Sequence, residues 1–201
     1  MLNLIRRDAI LLKQDLLIFI PFIAFFIIMD THPVLTLLVA SIFIPFNAFY
    51  YDKKSETNIL LNSLPYTRKE IVASRYLGAI VYMVLAFGVT SLVFFVSNTS
   101  FSITDIAMAG GLFLLFAAFT FPLFYIFKPV YIFYVVLVSF LLLAGIGPPI
   151  VIFFAENLSA ITDFIYSLSI PVLYTGATVA IMIIYAVSWL ITFMIYQRKV
   201  F

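Results

Sequence analysis

Six long apolar runs, each closed by charge, proline or glycine, occupy most of this chain. They fall at residues 16–30, 34–51, 76–97, 105–127, 130–154 and 171–196. The hydrocarbon core of a bilayer is about 30 Å thick and takes roughly 20 helical residues to cross. Each run is therefore close to one crossing, and a helix is the one single-segment structure that satisfies its own backbone polar groups in lipid. The sequence predicts an all-α membrane protein with six transmembrane helices. Composition excludes the soluble alternative. Of 201 residues, 65% are hydrophobic and 10% charged, against about 25% charged in an ordinary soluble domain. The mean hydropathy of +1.21 leaves too much apolar surface for one water-surrounded core. The connections are too short for a separate soluble domain, so residues 1–201 read as one transmembrane domain.

The first run is the weakest. Its clean part, residues 16–29, reaches full span only if Lys13 and Asp15 snorkel toward head groups. Arg6 and Arg7 ahead of an apolar stretch also fit a signal peptide. Lys13, Gln14 and Asp15 interrupt that stretch, however, and residues 29–33 offer no small-residue cleavage site, so the segment is expected to be retained.

Charge then fixes orientation. Arg6, Arg7 and Lys13 precede the first run, and Lys53, Lys54, Arg68, Lys69 and Arg75 lie between the second and third. Lys128 lies between the fourth and fifth, and Arg198 and Lys199 follow the sixth. With six crossings all 11 basic residues share one side, while the opposite loops carry Asp30, His32, Asp105, Glu156 and Asp163. Lys and Arg are retained on the cytosolic face, so both termini are expected there. A net charge of +2 is too small to argue for nucleic acid.

The longest polar interval, residues 52–75, is patterned. Residues 55–63 can form a short helix with Ile59, Leu60 and Leu64 available to bury, until Pro65 enforces a break. Thr67 and Glu70 then have the spacing of a capping box, which starts a new helix leading into the third run. Two readings stand: a basic loop that rests on anionic lipid and sets orientation, or a docking element for a protein partner. At the N-terminus, Leu2, Ile5, Ala9 and Leu12 share a helical face opposite Asn3, Arg6, Arg7, Lys13 and Gln14. Residues 1–15 thus read as an amphipathic helix on the inner membrane surface. Asp8, Asp15 and Ile10 blur the division, and a solvated extension of the first span is the other reading.

Residues 145–149 contain Gly147, Pro148 and Pro149, which predict a break in the fifth span. Residues 155–170 would follow as an external element, which can form a simple lid over the external mouth. Catalytic chemistry is absent from the pattern. Gly110 and Gly111 lack the lysine of a phosphate loop, a single histidine, His32, cannot build a multi-histidine site, and cysteine is missing. No ionisable group falls in the middle of spans three to six, which disfavours proton-coupled transport. Asn47, Thr90, Ser91, Asn98, Thr120, Ser139, Thr178 and Ser188 give mild polarity, suited to helix contacts or to a transport path. Enzyme activity, metal sites and bound cofactors are not expected.

Residues 52–77, above all Ser63-Leu64-Pro65 and Thr67-Arg68-Lys69-Glu70-Ile71-Val72, resemble the first cytosolic loop of ABC-2 type transporter permeases. The likeness is to the compact six-helix bacterial type, similar to the phenol-soluble-modulin and related peptide exporters. The resemblance implies a type V exporter-like fold with an N-terminal elbow helix, a coupling helix near residues 55–63 and, as the alternative to a lid, a re-entrant path between spans five and six. Ser55, Glu56, Asn58, Ile59, Leu60, Asn62, Ser63 and Leu64 would dock on an ABC ATP-binding subunit, which holds ATP and Mg. It also implies a bacterial cell membrane, a second permease chain as homo- or heterodimer, and export of amphipathic peptides or other hydrophobic compounds. A membrane-embedded substrate-binding subunit of an uptake system, or an immunity protein that does not pump, are the alternatives.

Overall fold

In the computed structural model, residues 15–54, 67–127, 131–157, 163 and 167–198 are described. The apolar runs form helices, as amides without water must bond internally. In chain order these are α1 (Asp15–Ile28), α2 (Pro33–Lys54), α3 (Arg68–Val96), α4 (Ile103–Ile126), α5 (Ile132–Asn157) and α6 (Ile170–Gln197). Among the described residues, four stretches are long and apolar enough to cross a membrane: α3, α4, Phe133–Asn157 of α5, and α6. Shorter apolar stretches, Phe19–Ile28 and Pro33–Phe43, lie within α1 and α2, and α2 itself runs 22 residues. The expected elbow helix lies outside the described residues, apart from its last position, Asp15, which opens α1.

Two short turns share one end of the bundle. After α1, Thr31 N–H reaches Phe26 O at 3.2 Å and Asp30 N–H reaches Ile27 O at 3.0 Å, with Asp30 at φ 52°. After α3, Thr99 N–H reaches Phe94 O at 2.9 Å and Asn98 N–H reaches Phe95 O at 3.3 Å, with Asn98 at φ 54°. Both are Schellman closures, with Asp and Asn in the left-handed position that glycine usually fills. Ser102 and Asp105 then form a capping box at the start of α4, the Ser-x-x-acid pattern of a helix start.

Helix α4 is the centre of packing, lying most extensively against α6 and α2, while α5 rests chiefly on α4. Small residues allow these approaches: Ala109, Gly110, Ala117 and Ala118 on α4 and Gly78, Ala79 and Ala86 on α3 are buried. Aromatic rings fill the remaining volume. Phe46 meets Phe124 edge-on at 4.9 Å, Tyr76 meets Phe121 at 5.0 Å, and Tyr125 meets Tyr196 at 5.2 Å. The outer parts of α5 and α6 are not enclosed: residues 141–146 and 148–153 of α5 and 170–180 of α6 are exposed.

The break expected at Gly147, Pro148 and Pro149 is corrected by α5, which runs through both prolines to Asn157. A proline removes its own N–H and crowds the carbonyl four residues back. Only two ladder bonds, those to Ala144 and Gly145, are forfeited in a helix of 26 residues. The turns on either side hold the path. Residues 155–157 of the expected external element continue α5, and residues 158–162 and 164–166 lie outside the described residues.

Candidate functional site

The expected docking residues Ser55, Glu56, Asn58, Ile59, Leu60, Asn62, Ser63 and Leu64, together with Pro65, lie outside the described residues. The segment that leaves their loop is described. Thr67 is extended at φ −72°, ψ 150° and caps α3. Glu70 N–H donates to Thr67 Oγ1 at 3.3 Å, and Thr67 N–H donates to Glu70 Oε2 at 2.8 Å. This is the capping box expected from the sequence. Those bonds, the backbone one first, hold the Glu70 carboxyl below its usual range; it lies ahead of the apolar run that begins at Tyr76. Arg68 Nη1 donates to Gln197 O at 2.7 Å, neutralising an orphan carbonyl at the negative end of α6. Lys69 Nζ sits 5.4 Å from the centroid of the Phe193 ring, within cation–π range. The arm leaving the loop is thus joined to the last turns of α6.

Two turns deeper, three hydroxyls meet. Tyr76 Oη lies 2.8 Å from Ser188 Oγ and 2.7 Å from Thr192 Oγ1, all buried. Ser188 donates its one proton to Ala118 O on α4, so it must accept from Tyr76, and Tyr76 must accept from Thr192. Tyr185 donates to Tyr76 O at 2.9 Å. The cluster joins α3, α4 and α6. Sequence reasoning singled out only Ser188. The signal available was the spacing of Ser188 and Thr192, four apart on one face of α6.

The other mildly polar residues divide. Thr120 donates to Phe116 O and Thr178 to Tyr174 O, each on its own helix. Thr90 Oγ1 is buried with no hydrogen-bond partner among the described residues. Ser139 is buried, and Ser91 is half-buried. Asn98 forms the turn after α3. The side chain of Asn47 lies outside the described residues.

At the end of the bundle carrying Asn98, a cleft of about 550 Å³ opens between α2, α3, α4 and α6. Met83, Met108, Gly110, Gly111, Thr178 and Met182 are among its walls, and among the described residues no charged one lines it. Glycine gives this cleft its floor. A Cβ on Gly111 would stand 3.1 Å from Ile181 Cδ1, and one on Gly110 would stand 3.5 Å from Phe87 Cε2. Flexible methionines and small residues suit such a surface to apolar shapes of varied outline.

No curated protein and no solved structure matches the chain. A family profile described as ABC-2 family transporter protein matches residues 3–197, which includes the loop, all six described helices and nearly both termini. Several apolar helices in one bundle make this a multi-pass membrane protein, and with that match the chain belongs to the ABC-2 transporter family, as a non-catalytic permease component that works with an ATP-binding partner.

Proposed function

We propose that this chain is one permease half of an ATP-driven exporter of amphipathic peptides or other hydrophobic compounds. It crosses the membrane six times with both termini in the cytosol. Residues 55–63 form the coupling helix that docks on the ATP-binding subunit, where Mg and ATP are held. A second permease chain, identical or related, completes the translocation unit.

The observation that carries this reading is the arm leaving the polar loop. It begins as a capped helix at Thr67 and continues without interruption through the 29 residues of α3. A push on the loop therefore acts on a rigid rod that is already joined to α6 by Arg68. The uncharged cleft supports an apolar or amphipathic cargo, since a charged group would stand there without a partner. The same cleft would serve the uptake alternative, in which it captures a ligand from outside.

The test is purification from native membranes with an affinity tag on the chain. An ATP-binding subunit should come with it, and the complex should hydrolyse ATP where the chain alone does not. Inverted vesicles should then accumulate a fluorescent amphipathic peptide on adding ATP. A chain that brings down no ATP-binding subunit overturns the transporter reading, and ATP-driven loss of peptide from those vesicles overturns the outward direction.

A further inference from the structure

The two halves of α6 are held very differently. All the buried residues of this helix, Tyr185, Ser188, Thr192 and Tyr196, lie in its second half, and residues 170–180 are exposed. The buried half is gripped by the arm that leaves the polar loop. Arg68 bonds Gln197 O, Lys69 covers Phe193, and Tyr76 bonds Ser188 and Thr192. An apolar seam between two helices can shear, because one hydrocarbon contact exchanges for another. The hydroxyl bridge resists this. A slip of α6 along α3 would strand the Tyr76, Ser188 and Thr192 hydroxyls among the buried aromatic rings around them, away from water. Ser188 also bonds Ala118 O, which extends the grip to α4, whereas α5 packs chiefly on α4.

We propose that Tyr76 is a positioning residue for coupling: its bridge to Ser188 and Thr192 makes α6 travel with the arm of the docking loop, so that displacement of the loop is delivered to the outer half of α6. This rests on the reading of the chain as an ATP-driven permease. Tyr76 is buried and is not among the residues lining the cleft. It decides which helix the loop moves.

The chain has no cysteine, so spin labels can be placed without background. Labels at Glu156 and Thr175, both exposed on the outer parts of α5 and α6, report the separation of those helices. The sample is the complex with its ATP-binding subunit, with labelled chain diluted in unlabelled chain. The distance should differ between the nucleotide-free and Mg-ATP-bound complexes. Tyr76→Phe keeps the ring against Phe121 and Tyr185 but removes the hydroxyl. In that variant the ATP-dependent change should fall to about half or less, while the ATP-binding subunit still co-purifies and hydrolyses ATP. Thr192→Ser retains a hydroxyl and should behave as wild type.

A full-sized change in Tyr76→Phe, and again when Ser188→Ala and Thr192→Val are added, overturns the proposal. A wild-type complex that hydrolyses ATP without any change in this distance overturns it too. So does a Tyr76→Phe variant that loses hydrolysis and co-purification together with the distance change, because the bond then only holds the fold. A wild-type chain that recruits no ATP-binding subunit removes the transporter reading and the clamp together, while unchanged variants in a working complex remove the clamp alone.

Discussion

A buried hydroxyl in lipid is held to its neighbours by modest energies, and Tyr76 shows how they divide. Its two side-chain bonds are expected to contribute about 0.6 kcal/mol each, the average for such bonds in a membrane bundle. The ring contributes more, as it packs edge-on against Phe121 and Tyr185. Tyr76→Phe should thus lower stability by about 1 kcal/mol, and Tyr76→Ala by about 3–5 kcal/mol, measured by reversible unfolding in mixed micelles. Equal losses would show that the ring is poorly packed. Gly110 and Gly111 differ in the same local sense. Gly110→Ala meets only ordinary contact with Phe87 and should be neutral or gain up to about 1 kcal/mol from helix propensity. Gly111→Ala must displace the Ile181 methyl and forfeits that gain. On the loop, Ile59→Asp would place an unpaired charge in the proposed docking face, at a cost on the order of several kcal/mol. The variant should insert normally yet bring down little ATP-binding subunit, whereas Glu56→Ala at a rim should shift binding by about 0–1 kcal/mol.

Among the elements, what was legible in the sequence was local. The capping box of Thr67 and Glu70 is a four-residue pattern whose bonds close within themselves, and it stands as expected. The equivalent box of Ser102 and Asp105 follows the same rule, although the fourth apolar run begins only at residue 105, past the cap. The meeting of Tyr76 with Ser188 and Thr192 could not be read. It joins residues more than 100 positions apart, and depends on how α6 is rotated and shifted against α3. The prolines of α5 misled for the opposite reason. Their local chemistry is unfavourable, but a long helix with intact turns on both sides carries the forfeited bonds. Replacing Pro148 and Pro149 with Ala should return two amide donors and slow hydrogen exchange over residues 144–153. Exchange that stays equally fast would mean that this part of α5 opens for some other reason.

For the molecule as a whole, the charge pattern predicts its orientation. Cysteines placed at Ser100 and Asn157 should react with an impermeant maleimide in intact cells, and one at Ser55 only after permeabilisation. Ser100 is preferred to Asn98, whose left-handed backbone asparagine tolerates better than cysteine does. External labelling at Ser55 would overturn both the six-span topology and the docking assignment. The turns at residues 29–32 and 97–102 also bear on how the chain is made. Each closes its own backbone, through Thr31 to Phe26 and Thr99 to Phe94, and Thr31 Oγ1 further bonds Phe26 O and Thr36 Oγ1. Neither turn waits for a later helix to satisfy these backbone groups. During synthesis α1 and α2 can leave the translocon as a finished hairpin, so that α1 meets lipid already paired with its neighbour, before the rest of the chain has been translated.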